Sequence, residues 1–72
     1  MVKGWIVEVT YLRSGRTSTD RYAVAIPEKE VAVSAVKRHI EMQATVSARE
    51  VMSEATYYRL GLTPGKMLRL GK

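Results

Sequence analysis

Residues 4–26 read GWIVEVTYLRSGRTSTDRYAVAI, and this stretch decides the fold. Trp5, Val7, Val9 and Tyr11 alternate with Ile6, Glu8, Thr10 and Leu12, the period of two that marks a half-buried strand. Residues 19–26 repeat the pattern, with Tyr22, Val24 and Ile26 on one face and Arg21, Ala23 and Ala25 on the other. Between them lies Arg13-Ser14-Gly15-Arg16-Thr17-Ser18, a polar turn whose glycine can take a positive φ. The pattern predicts a β-hairpin.

Two registers compete. A four-residue loop over Ser14–Thr17 sets Arg13 opposite Ser18, Trp5 opposite Ile26, Val7 opposite Val24 and Val9 opposite Tyr22. A two-residue Ser14-Gly15 loop puts Val9 opposite Asp20 instead. The first register joins more apolar surface and is preferred on that ground. The second face of the hairpin carries Ile6, Leu12, Ala23 and Ala25, more apolar than a fully solvated face requires. The C-terminal segment or a second copy of the chain would cover it; scattered surface apolar residues are the plainer reading.

Pro27 suits the first position of a helix, and Glu28 and Glu30 complement the dipole of its first turn. At about 100° per residue, Ala32, Val33, Val36 and Ile40 share one side, widened by Val31 and Ala35. Glu30, Ser34, Lys37, Arg38 and Glu41 take the other. This predicts an amphipathic helix over residues 28–42 packed on the hairpin.

Residues 44–60 admit two readings. One is a helix over 47–60, capped by Ser47 with Glu50 and ended by Gly61. The other is a strand from Ala44 to Met52, then a short helix starting after Ser53 and ending at Gly61. Thr45, Val46 and Val51 favour the strand, and a lone hairpin gains stability from a third strand. Thr63-Pro64-Gly65 fits a type II turn. Met67, Leu68 and Leu70 form a last short strand or lie against the core. The expected fold is therefore a two-layer α+β domain spanning residues 1–72. It has a hairpin and one long helix (ββα), followed by a third strand and a short C-terminal helix. The alternatives are the longer second helix and a ββαβ ending that resembles β-grasp domains.

A chain of 72 residues buries only about 60% of its unfolded surface, so its core is small. It has no cysteine and one histidine, which excludes disulfides and thiolate metal sites and leaves no ordinary zinc ligand set. Stability must come from packing of the apolar 46% of residues, and no cofactor or metal is expected. No segment approaches the roughly 18 apolar residues that span a bilayer. Glu8 interrupts the N-terminal apolar run before a signal-peptide core forms, so a cytoplasmic protein without membrane contact is expected.

The net charge of +5 is uneven. Residues 1–27 carry +2, residues 28–54 carry −1, and residues 55–72 hold Arg59, Lys66, Arg69 and Lys72 against no acid. Such asymmetry marks either an anionic partner or simple solubility.

The chemistry-bearing residues are sparse. His39 sits in the last helical turn, where a structural role suits it better than catalysis. The acids are dispersed, so a paired-carboxylate site is not expected. No serine has a nucleophile-elbow context, and Arg13-Ser14-Gly15-Arg16 is not a phosphate loop because no helix follows. Arg13 and Arg16 nevertheless flank a donor-rich turn, and a phosphate or carboxylate would relieve their repulsion. Tyr57 and Tyr58 lie near Arg59, Lys66, Arg69 and Lys72, a mix that can stack bases and neutralise phosphates. Without phenylalanine, the aromatic signature of the common RNA-binding sheet is missing, so packing is the simpler role for the tyrosines, as for Trp5.

No motif identifies a function. The first expectation is a non-catalytic interaction module that binds a protein partner or a second copy of itself. The second is an anion- or nucleic-acid-binding module using Arg13, Arg16, Arg59, Lys66, Arg69 and Lys72. The third is a small enzyme or an accessory subunit of one.

Overall fold

The computed structural model describes residues 2–40 and 44–71. The elements run β1 (Trp5–Arg13), β2 (Arg16–Val24), α1 (Lys29–His39), β3 (Thr45–Val51), α2 (Glu54–Arg59) and β4 (Met67–Gly71). The strands form one sheet in the order β3-β1-β2-β4, every neighbour pair antiparallel. The expected α+β architecture is present: hairpin, long helix, third strand, short helix. The terminal strand also forms and pairs with β2. The helix over 47–60 does not form, because residues 47–51 pair with β1 and their β-branched neighbours fit the pleat.

The hairpin register is the two-residue one, not the four-residue one preferred above. Arg13 pairs with Arg16, Val7 with Tyr22 and Val9 with Asp20. Ser14 (φ 51°) and Gly15 (φ 76°) are both left-handed, as a type I′ turn requires, and that turn's twist matches the strands. The two registers differ by two residues, so each face keeps the same side chains in either. Apolar matching therefore had little power to choose, and turn geometry decided.

The first face packs Val7, Val9, Tyr22 and Val24 against Ala32 and Val36 of α1. Pro27 does not open this helix. Glu28 is still extended (φ −87°, ψ 119°) and acts as the N-cap, its carbonyl accepting from Ala32 N–H at 2.9 Å. Pro27 lies one residue earlier, and its carbonyl accepts from the Trp5 indole N–H at 2.9 Å. The helix ends at His39, before the expected boundary; residues 41 and 42 lie outside the described residues, Glu41 among them.

The second face is covered by the chain itself. Ile6, Ala23 and Ala25 pack with Met52 and with Tyr57 of α2, bordered by Leu60 and Leu62. Ser53 caps α2 by accepting from Thr56 N–H at 3.2 Å. Gly61 (φ 67°) closes it in a Schellman pattern: Leu62 N–H reaches the Tyr57 carbonyl and Gly61 N–H the Tyr58 carbonyl. The cover stops short of the turn, leaving Leu12 74% exposed.

Where β1 begins, the backbone of Gly4 is buried against its neighbours. Its carbonyl accepts from Met52 N–H at 2.9 Å. A Cβ there would clash with the Val24 carbonyl, and would stand 2.6 Å from Met52 Cε and 3.0 Å from Ala25 Cα. Gly4→Ala is therefore expected to lower unfolding stability by about 3 kcal/mol, the upper end for overpacking, measured by urea denaturation. Ser14→Asn should instead raise it by up to about 1 kcal/mol, because asparagine tolerates the left-handed turn position better than serine. An unchanged denaturation midpoint for Ser14→Asn would refute the turn assignment.

Candidate functional site

The hairpin is longer than the sheet around it. Described pairing with β3 ends at Thr10–Thr45, and pairing with β4 ends at Arg21–Gly71. Residues 11–13 and 16–18 thus pair only with each other among the described residues, forming a two-stranded arm. At about 3.3 Å per residue the arm extends roughly 10–15 Å past the sheet. Residues 14–18 are all exposed, so the tip contributes nothing to the core.

The root of the arm is braced. Asp20 is 7% exposed, on the first face. Its Oδ2 accepts from the Tyr11 hydroxyl at 2.8 Å, and its Oδ1 accepts from Arg69 Nη2 of β4 at 3.2 Å. This brace ties β1, β2 and β4 together where the arm leaves the sheet. The hydrogen bond to the Asp20 carboxylate, with burial and that negative charge adding, pushes the Tyr11 hydroxyl up to about 12. The same carboxylate raises the Arg69 pKa through its hydrogen bond and charge.

α1 adds to this end. Starting after β2, it returns across the first face toward the turn. Its final turn holds Lys37, Arg38 and His39, and the His39 ring stands edge-on to Tyr22 at 5.8 Å. Between α1 and the arm lies an open groove of about 740 Å³. Tyr11 and Thr17 of the arm, Lys37 and Ile40 of the α1 end, and Thr45 of β3 line it.

The charges sort by end. Among the described residues the ion pairs are Arg21 and Arg49 with Glu8, at 3.9 and 4.0 Å, and Arg69 with Asp20. Arg16, Lys37 and Arg38 are exposed and form none. At the far end Lys29, Arg59 and Lys66 are also exposed and form no ion pair among the described residues, although the first two share their helices with acids. Lys29, over the Trp5 ring, sits between Glu28 and Glu30, and Arg59 follows Glu54 on α2. Arg16, Lys37 and Arg38 thus gather at the end formed by the arm and the last turn of α1.

The six cations singled out in the sequence do not form one patch. Arg13 and Arg16 are the last register pair before the turn. Lys66 lies beside Ala25, whose N–H donates to its carbonyl at 2.7 Å. Nine residues of β2 and its continuation separate that point from Arg16, about 30 Å at strand rise. Arg59 closes α2 on the second face, Arg69 is engaged with Asp20, and Lys72 lies outside the described residues. Tyr57 is packed beneath the sheet, its ring 5.3 Å from that of Tyr58 and 5.8 Å from the Lys3 ammonium. Lys37 and Arg38 were the residues the sequence reading passed over, as ordinary members of a solvated helix face. The signal available was topological: a helix that follows a hairpin's second strand must run back toward its turn.

The chain matches no protein-family model, no curated protein and no solved structure.

The brace gives a titration test. One tyrosine should ionise near pH 12 in the ultraviolet spectrum, and Tyr11→Phe should remove that step. Asp20→Asn should bring it back toward the ordinary value near 10. Because the folded value is raised, the Tyr11 contribution to stability is complete below pH 10 and is lost as pH rises through about 12. A titration in which every tyrosine ionises near pH 10 would remove the brace from the account.

Proposed function

We propose that the chain binds nucleic acid through the end formed by the hairpin arm and the last turn of α1. The observation that carries this reading is the set Arg16, Lys37 and Arg38, exposed and without ion pairs among the described residues, with Lys37 lining the open groove. An unpaired guanidinium or ammonium in water holds only mobile counterions. A phosphate backbone displaces them, and the released ions drive binding. Arg13 occupies the register position opposite Arg16. Thr17 and Ser18 supply hydroxyl donors on the same strand. Arg59 and Lys66 fall outside this surface, and Arg69 serves it indirectly by bracing the arm.

A second reading draws on the exposed apolar residues and the sheet edges. Leu12 is 74% exposed, Leu68 and Leu70 are each 40% exposed, and both outer strands present a free edge among the described residues. These features suit a protein partner or a second copy of the chain, including a role as an enzyme's accessory subunit. Light scattering at high concentration separates a dimer from a monomer.

The first reading is tested by fluorescence anisotropy on a short labelled duplex, from roughly 50 to 200 mM salt. Three or four phosphate contacts predict a slope of log affinity on log salt of about −3. Lys37→Ala with Arg38→Ala should flatten the slope by about one per charge removed, and Arg16→Ala should weaken binding. Arg59→Ala with Lys66→Ala should leave the slope unchanged. A salt-insensitive affinity, or equal losses from both sets, would overturn the proposal.

A further inference from the structure

We infer that the ligand is double-helical B-form DNA, entered through its major groove by the hairpin arm; this rests on the nucleic-acid reading above. The shape of the basic end carries the inference. A two-stranded ribbon is one of the elements that the major groove of B-DNA admits, being about 12 Å wide and 8.5 Å deep. The arm is such a ribbon. Its free length of roughly 10–15 Å matches that depth. Its tip is polar throughout, and Arg16 stands where a guanidinium would meet base edges, with Thr17 and Ser18 next to it. Arginine pairs with guanine there through two parallel hydrogen bonds. With the arm inserted, Lys37 and Arg38 sit behind it, placed for the backbone phosphates that border the groove.

Two other nucleic acids fit less well. Double-stranded RNA has a major groove too deep and narrow for side chains to read. Single strands are held by bases stacked on exposed aromatic rings. At this end Tyr22 is buried, the half-buried Tyr11 is held through its hydroxyl by Asp20, and the exposed His39 ring is engaged edge-on with Tyr22. The exposed Tyr58 belongs to α2, and the half-buried Trp5 lies at the far end beneath Lys29. The brace at the root also favours a duplex. Asp20, Tyr11 and Arg69 fix the arm's direction before binding, which suits insertion into a preformed groove.

The test compares three probes of one sequence (duplex DNA, duplex RNA and single-stranded DNA) by anisotropy with the full chain at low and physiological salt. Duplex DNA is expected to bind at least about tenfold more tightly than either other probe, the discrimination of one good bidentate base contact. Arg16→Ala should erase that preference while keeping the circular dichroism spectrum, since the tip is outside the core. A duplex with its major groove filled by glucosylated hydroxymethylcytosine should lose the preference, and netropsin in the minor groove should leave it intact. Equal affinity for all three probes overturns major-groove insertion and leaves the nucleic-acid reading standing. Competition by netropsin with indifference to glucosylation also overturns it. Failure to bind any probe at low salt sinks the nucleic-acid reading itself.

Discussion

A carboxylate buried at the root of a β-arm is the interaction on which this small protein turns. Removing a charge from water costs several kcal/mol unless other groups replace its hydration. Asp20 sits on the core face of β2, opposite Val9, at a position that an apolar residue would fill in an ordinary strand. The replacement comes from two other strands, a hydroxyl from β1 and a guanidinium from β4. The sheet can therefore end, and the hairpin continue alone, at a point held by charge-assisted bonds. Packing holds the opposite end, where α1 covers one face and α2 the other.

Much of this architecture was legible because the signals were local. Alternation gave both strands of the hairpin, the 3.6-residue period gave α1, and Ser53 and Gly61 bracketed α2 with the capping chemistry observed. The register was not legible from apolar matching, because a slip of two residues preserves both faces. It depends on the backbone of Ser14 and Gly15, where a serine is not the residue that usually announces such a turn. Pro27 misled for a related reason. It permits a helix start, but the Trp5 indole holds its carbonyl and Glu28 stays extended, so the helix begins later.

The candidate site was half legible. Arg13 and Arg16 are neighbours in sequence and remain so in space. The C-terminal cations are close in sequence, yet the chain that holds them turns through α2 and the Pro64-Gly65 corner before β4. That path places Arg59 and Lys66 far from the arm and directs Arg69 onto Asp20. Lys37 and Arg38 show the converse: more than twenty residues from Arg16, they reach the same end because α1 returns over the hairpin. Net charge by segment followed the chain, whereas the grouping of Arg16 with Lys37 and Arg38 follows the topology.

The exposed turn has one more consequence. Its shape is set by two backbone conformations, and no side chain from residue 14 to 18 is part of either apolar cluster. Beyond the two left-handed positions Ser14 and Gly15, the tip is set apart from the brace and from both clusters. Substitutions at residues 16–18 therefore change the charge and hydrogen-bonding groups of the tip while leaving the core residues in place.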